Sequence, residues 1–231
     1  MKVLKTSIII LAMFATFHSK SQNCNEVYYA SKVGTKLTYE NKDEKGKLTT
    51  TQETTVKAIK NTTDGSEISI SSTMKDGKGK MIAENMAFDV TCTNGTIKLR
   101  FSDMMMASMS QMKDMEMEIT GDGIQYPSEL KEGQELPNGE SNIKIKASGL
   151  TLMTIQNKEI SRKVEKKESI TTSAGTFECF KIVSQSEMKM MGKRKYKSAM
   201  WFSKGVGMVK MESYNDKNEL NHVMLLTKLE K

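Results

Sequence analysis

Alternation of polar and apolar residues, with a period of two, is the feature that most limits what this chain can fold into. It runs through six segments, of which the first two are rich in Thr, Ser, Ile and Val. Successive side chains of a β-strand point to opposite faces, so the pattern places one face against a core and the other in water. Antiparallel pairing suits such half-buried strands, because parallel strands are apolar on both faces. The segments are residues 48–60, 66–74, 140–146, 152–160, 176–188 and 206–214.

Three polar stretches beside these segments resemble one another and predict one type of hairpin, used repeatedly. They span residues 41–47, 75–80 and 215–219 and are rich in Gly, Asn, Asp and Lys. Gly, Asn and Asp supply the backbone angles that tight reversals need. The spacing between the three is irregular, so we interpret them as a recurring hairpin and not as the repeat of a solenoid.

One segment departs from the alternation and predicts a short amphipathic helix. Residues 102–115 are rich in Met and other helix formers, with Ser102 as a candidate N-cap and Asp103 in the first turn. We therefore predict an all-β fold, a single antiparallel β-roll or open half-barrel, with one short Met-rich helix across its open side. At a spacing of 3.6 residues, one face of this helix would carry Phe101, Met105, Met109 and Met112.

The N-terminus predicts a secretory leader. Lys2 and Lys5 precede an apolar run that is too short to span a bilayer, and small serines follow it. We place the cleavage after Ser21, so residues 1–21 are a signal peptide and residues 22–231 a single β domain. The mature protein is expected to be exported and soluble, in the periplasm or at the outer envelope, with no transmembrane segment.

Charge argues against a nucleic-acid partner. The whole chain has a formal charge of +7, and the leader removes three lysines and no acidic residue, leaving +4. The remaining charge is spread along the chain. No block of Lys and Arg is interleaved with aromatic residues, as expected of a nucleic-acid surface.

The three cysteines are disulfide candidates, because export makes disulfides possible. Cys24, Cys92 and Cys179 all remain after cleavage of the leader, so at least one thiol stays unpaired or bonds another chain. Burial as small hydrophobic residues is the alternative for Cys92 and Cys179. Lipidation is a further alternative for Cys24, although the preceding residues 21–23 are not the small apolar ones expected before an acylated cysteine.

Patterns that would indicate catalysis are missing from the sequence. His222 is the one histidine outside the leader, and it lies in a predicted C-terminal strand, residues 220–229. No serine lies in a G-x-S-x-G motif, and one histidine cannot supply H-E-x-x-H. The sequence therefore predicts no catalytic residue, cofactor or metal site, and we expect a non-enzymatic protein.

Methionine is the compositional oddity, with 20 residues in the chain and dense groups at 104–117 and 188–191. Methionine can fill a core, line a pocket for flexible apolar ligands, or bind Cu(I) through its thioether. Filling a core is the interpretation that needs the fewest assumptions. Copper is disfavoured because the first group has no histidine or cysteine near it.

Four segments carry a resemblance to a known family: residues 33–43 (VGTKLTYENKD), 126–139 (YPSELKEGQELPNG), 171–182 (TTSAGTFECFKI) and 201–214 (WFSKGVGMVKMESY). Together they resemble the TapB-like exported proteins, relatives of the domain-of-unknown-function 3108 group. The resemblance covers essentially the whole mature chain. It implies an open antiparallel roll or half-barrel in the periplasm, a shape similar to that of lipoprotein carriers, and it implies no catalytic residues.

From these observations we expect a binding or accessory protein of the cell envelope that holds an apolar or lipid-like ligand on a concave sheet face. The alternative is a structural module that pairs through an exposed sheet edge, with itself or with another envelope protein. A hydrolase of unknown type is the third hypothesis. The candidate ligand-binding residues are the helix face defined above, Phe101, Met105, Met109 and Met112, together with Trp201 and Phe202 near strand ends.

Overall fold

Regular structure in this protein is β throughout the described residues. The computed structural model describes Cys24 and residues 27–99, 115–121 and 123–231. Within these residues there is no α-helix, and hence none with the length and apolar character needed to cross a membrane. The strands are β1 (Lys36–Asp43), β2 (Leu48–Thr62), β3 (Gly65–Asp76), β4 (Met81–Thr93), β5 (Thr96–Leu99), β6 (Met115–Gly121), β7 (Ile124–Pro127), β8 (Glu140–Ala147), β9 (Leu150–Thr172), β10 (Gly175–Lys189), β11 (Lys193–Ser203), β12 (Gly207–Tyr214) and β13 (Leu220–Glu230).

The strands form one antiparallel sheet in the order β6-β8-β9-β10-β11-β12-β13-β1-β2-β3-β4-β5-β7. Most neighbours in space are also neighbours in sequence, joined by hairpins. The main exception is the pairing of β13 with β1, which brings the last strand of the chain beside the first. The prediction of an all-β, antiparallel sheet is confirmed, and all six predicted strand segments lie in strands or begin or end within one residue of them.

The sheet curls, because strands far apart in its order meet across one face. The ring of Tyr126 in β7 lies 4.7 Å from that of Phe202 in β11, centroid to centroid. Arg162 in β9 donates from Nη1 to the carbonyl of Gln125 in β7 at 3.0 Å and to that of Pro137 at 2.8 Å. We call the face that carries Tyr126 and Phe202 the inner face.

The hydrophobic core fills one end of this inner face. Alternation explains its composition, since in β3 the residues at every second position, such as Ile68 and Ile70, are buried. The N-terminal residues Val27 and Tyr28 pack against these strands. Residues of the core that are less than 2% exposed include Val56, Val90, Ile97, Val164, Ile182, Val209 and Leu226.

The three predicted hairpins share one hydrogen-bonding arrangement. Each begins with Asp43, Asp76 or Asn215, whose side-chain oxygen accepts the backbone N–H groups two and four residues later at 2.9–3.0 Å. The residue three positions on has a positive φ, between 64° and 85°. Gly or Asn tolerates that conformation, which explains the sequence likeness of the three turns. These later residues are Gly46, Gly79 and Asn218.

The predicted helix is not borne out by the described residues. Residues 101–114 lie outside them, so the structure does not describe Phe101, Met105, Met109 or Met112. Met115, the predicted end of the helix, instead begins β6, where it pairs with Ala147 of β8. Pairing with a distant strand therefore prevails over local helix propensity at this point. The predicted leader, residues 1–21, also lies outside the described residues.

Candidate functional site

The two aromatic residues predicted to bind a ligand are both buried. Trp201 is 4% exposed and Phe202 5% exposed. The indole of Trp201 lies on the face opposite to the inner one, where its N–H donates to Glu168 at 2.8 Å and the ammonium groups of Lys181 and Lys210 lie over its ring. Phe202 packs against Tyr126. Neither side chain is therefore available to line an open pocket.

Strand register instead assembles two adjacent rows of side chains on the inner face. Residues directly opposite each other on neighbouring antiparallel strands share a face, with Cβ atoms about 4.5–5.5 Å apart. The first row crosses β9 to β13 and reaches β1: Val164, Ile182, Met200, Met211, Met224 and Asn41. The second row crosses the same strands: Arg162, Ser184, Ser198, Ser213, His222 and Asp43.

The centre of the first row consists of Met200, Met211 and Met224, which we call the methionine row. The hydroxyl of Tyr126 lies 3.8 Å from the sulfur of Met200, which confirms that this side chain points to the inner face. All three methionines are half-buried, whereas Val209 and Leu226, on the same strands, are fully buried. The methionine row thus lies where the core no longer fills the inner face.

The second row is polar. The hydroxyls of Ser184 and Ser198 are 2.7 Å apart, and Nε2 of His222 lies 3.0 Å from Oδ1 of Asn41. Burial lowers the pKa of His222. Ser213 and Asp43 flank His222 in register.

These neighbours do not form the hydrogen bonds of a catalytic triad. The imidazole of His222 bonds the amide of Asn41, and Oδ1 of Asp43 accepts N–H groups of its own turn, those of Lys45 and Lys47. A Ser-His-Asp triad requires the carboxylate on the imidazole and the imidazole on the serine. The geometry around His222 therefore gives the hydrolase hypothesis no support.

Arg162 closes the curled sheet at the end of the second row. Its side chain is fully buried, lies 4.7 Å from the Tyr126 ring centroid, and is 3.7 Å from the carboxylate of Glu159. Among the described residues, Nε and Nη2 of Arg162 and Oε2 of Glu159 find no hydrogen-bond partner. Burial raises the pKa of Glu159, and the guanidinium offsets part of that effect. No sequence pattern pointed to this pair, because it lies among charged residues that are typical of a solvated strand.

The grooves found in the described part of the chain do not have the methionine row in their lining. A groove of about 680 Å³ over β9 to β11 is lined by Arg162, Ser184 and Ser198 of the second row and by charged residues that include Lys163, Lys181 and Lys197. A second, of about 400 Å³, lies beside Tyr28 and Phe180 and is also lined by charged residues, Glu129, Lys131, Lys167, Glu178 and Lys204. Met191 and its neighbours at the β10–β11 hairpin line a third, of about 270 Å³, and Met191 is 95% exposed.

Two of the three cysteines are joined. Cys24 and Cys92 form a disulfide, with Cα atoms 6.0 Å apart, which ties the N-terminal segment to β4. Gly65 is needed beside this bond, because a Cβ there would lie 1.9 Å from the carbonyl oxygen of Cys92. Cys179 is a buried free thiol, and burial raises its pKa to about 12. Within the described residues, no three or more His, Cys, Asp or Glu side chains cluster as metal ligands would.

A family model matches residues 32–226, nearly the whole of the sheet, under the description DUF3108-like. The chain belongs to the DUF3108-like family. The resemblance seen in the sequence is thereby confirmed. A search among curated proteins finds no match.

Two solved structures share the fold of this DUF3108-like chain. One, from Parabacteroides distasonis, is described as a "putative lipoprotein"; it is 23% identical, with a TM-score of 0.74, and the match covers 90% of this chain and 100% of the other. The second, from Bacteroides fragilis, is described as a "putative exported protein with YmcC-like fold"; it is 21% identical, with a TM-score of 0.71, covering 89% and 100%. At these identities the likeness shows the fold alone.

The motifs that carried the resemblance to the DUF3108-like family have structural roles. Residues 171–182 form the β9–β10 hairpin, and residues 201–214 form the β11–β12 hairpin. Residues 126–139 run from β7 along β9, where Gly133 and Leu136 donate backbone hydrogen bonds to Val164 and Arg162. The methionine row and Arg162 were missed, because their placement depends on register between strands that are distant in sequence.

Proposed function

We propose that this DUF3108-like protein is a non-enzymatic binding protein of the cell envelope that holds an apolar ligand on the inner face of its sheet. The observation that carries the proposal is the methionine row. Three apolar side chains lie together on the concave side of a curled sheet and are not covered by the core. Clustered apolar residues that the core leaves accessible are typical of ligand-binding surfaces.

Methionine suits this role better than the aliphatic residues of the core. Its side chain is unbranched, has three rotatable bonds and is polarizable, so it adapts to ligands of different shape. Val164 and Ile182 extend the apolar row toward β9. Val164 and Ile182 are fully buried, so the accessible part of the row is Met200, Met211 and Met224. With strands about 4.8 Å apart this part spans roughly 10 Å, and an elongated apolar chain lying across the strands would contact all three methionines.

Export is the second part of the proposal. The leader over residues 1–21 has the order of charged, apolar and small residues that signal peptides have. The disulfide between Cys24 and Cys92 adds support, because disulfides persist in oxidising compartments outside the cytoplasm. Proteins with the same fold are described as exported or as lipoproteins.

Native mass spectrometry tests the ligand directly. The mature chain, incubated with phospholipid and fatty-acid extract of a bacterial envelope, should retain a lipid-sized adduct. Met211→Gln places a polar amide in the middle of the methionine row and should lower the retained fraction. Met191→Gln is the matched control, because that side chain is exposed at a hairpin. A wild-type protein that retains nothing, or equal retention by the two variants, would refute apolar binding at this site.

Pairing through a sheet edge has less support. β6 ends the strand order and carries the exposed residues Glu116 and Glu118. Glu118 is ion-paired with Lys146 at 2.7 Å and Lys144 at 3.6 Å. Charged side chains on an edge strand oppose the addition of another strand. We therefore expect a monomer in sedimentation velocity experiments at high protein concentration, and a dimer would revive the structural hypothesis.

A further inference from the structure

We propose that Met211, Met224 and His222, with Met200 beside them, form a binding site for a soft monovalent cation, Cu(I) or Ag(I). Met211 and Met224 lie directly opposite each other on β12 and β13. His222 is two residues before Met224 on the same strand, so both side chains point to the inner face. Because His222 lies opposite Ser213, it is also the diagonal neighbour of Met211.

The spacing of these positions allows the donor atoms to converge. Opposite residues have Cβ atoms about 4.5–5.5 Å apart, and diagonal neighbours lie about 7–8 Å apart. Met200 is directly opposite Met211 on the other side, in β11. Methionine has three rotatable bonds, so its sulfur can reach over a neighbouring position without a change in the backbone. Each of the four side chains is half-buried, which leaves the donors accessible to an entering ion.

The hydrogen bond of His222 prepares its other ring nitrogen for a metal. The amide oxygen of Asn41 can only accept, so at 3.0 Å the Nε2 of the neutral ring is the donor. The hydrogen then resides on Nε2, and Nδ1 carries the lone pair that can bind a metal. Ligating histidines commonly have their second nitrogen held by a carbonyl or carboxylate in this way, which fixes the tautomer and the orientation of the ring.

The donor set selects the kind of ion. Thioethers are soft ligands that favour Cu(I), and imidazole also binds copper. Hard cations such as Mg²⁺ and Ca²⁺ require several oxygen ligands. The group containing Met200, Met211, Met224 and His222 offers sulfur and nitrogen. Asp43, opposite His222 in register, adds a negative charge nearby that favours a cation.

The cation site does not depend on the proposed apolar ligand, and one double variant separates the two. Leucine keeps the volume and apolar character of methionine but has no donor atom. Met211→Leu with Met224→Leu should therefore preserve lipid retention and remove cation binding. Loss of lipid retention together with unchanged cation binding in this variant would refute the cation site and leave the apolar site at the methionine row.

Silver titration tests the site, with Ag(I) as an air-stable substitute for Cu(I). The mature chain in chloride-free buffer is titrated with silver nitrate and followed by native mass spectrometry and calorimetry. We expect one tightly bound Ag(I) per chain that Met211→Leu/Met224→Leu weakens at least about tenfold, since even an outer-shell change costs that much in metal sites. Met191→Leu should bind as the wild type does. Competition with a Cu(I) chelator should rank the same variants in the same order.

Two outcomes overturn the proposal. One is a wild-type chain that binds no silver. The other is equal silver affinity of the wild type and Met211→Leu/Met224→Leu, which would place any binding elsewhere in the chain. Thermal unfolding of each variant, expected within a few degrees of the wild type, distinguishes loss of a ligand from loss of the fold.

Discussion

Replacing Cys92 with alanine removes the covalent bond between the N-terminal segment and β4. The bond links residues 68 positions apart in the sequence. In the chain-entropy description, closing a loop of that length lowers the conformational entropy of the unfolded chain and raises its free energy by about 4.4 kcal/mol at 25 °C. Cys24 and Cys92 are both buried, so their side chains also contribute packing. We expect Cys92→Ala to lower the free energy of unfolding by about 3–5 kcal/mol.

Urea denaturation with and without a reducing agent measures this loss. Dithiothreitol should destabilise the wild type by a similar amount and leave Cys24→Ala/Cys92→Ala unchanged. The double variant leaves no unpaired thiol at this position, so it is the appropriate reference for the reduced state. Equal midpoints for oxidised and reduced wild type would refute the disulfide.

The same bond excludes lipidation of Cys24 in the same molecule. A sulfur joined to Cys92 cannot also carry the thioether of a lipid anchor. We therefore expect an intact mass of the mature chain that lacks a diacylglyceryl group and is two hydrogens lighter than the reduced form. A mass that includes the lipid would show that Cys24 carries a lipid thioether and no disulfide, and that this chain is anchored to a membrane.

Three further predictions concern buried or charged side chains. Arg162→Met should cost about 3–5 kcal/mol in urea denaturation, because it leaves the buried Glu159 without its partner, and Glu159→Gln in the same chain should recover part of the loss. The hydrogen bond from the Trp201 indole, and then that from Lys166, hold the pKa of Glu168 below its usual range. The stabilisation that the ionised Glu168 carboxylate provides is therefore present above its pKa in the unfolded chain and is lost as pH falls through its pKa in the folded protein. Glu168→Gln should flatten the dependence of the free energy of unfolding on pH below about pH 5. Cys179, whose pKa burial raises to about 12, should resist iodoacetamide at pH 8 in the folded protein and react after unfolding; labelling of the native protein would contradict its burial.

Local patterns predicted the parts of the fold that depend on local chemistry. Alternation identified six of the strands, β2, β3, β8, β9, β10 and β12. The Asp or Asn that begins each of three turns identified the hairpins, because those side chains bond their own backbone. The pairing of β13 with β1 and the closure through Arg162 depend on contacts between distant parts of the chain. No local pattern encodes them.

The placement of Trp201 shows why the candidate site was wrong in part. Strict alternation lets only one of two consecutive residues face a core, yet Trp201 and Phe202 are both buried. Phe202 takes the inner face, and Trp201 is covered on the other face by lysine side chains from β10 and β12. Long lysine stems can bury an aromatic ring while their charge stays in water. Such coverage depends on register, which the sequence did not specify.

Register also decides what the methionines can do. In sequence, Met200, Met211 and Met224 are isolated residues in three separate strands, and the densest methionine group lies elsewhere. Pairing of β11, β12 and β13 places them side by side, next to a histidine whose Nε2 is already engaged. A surface made only to accept apolar chains would still accept them with leucine at these positions. A cation site would not, so the leucine variants decide whether this surface uses its sulfur atoms or only its shape.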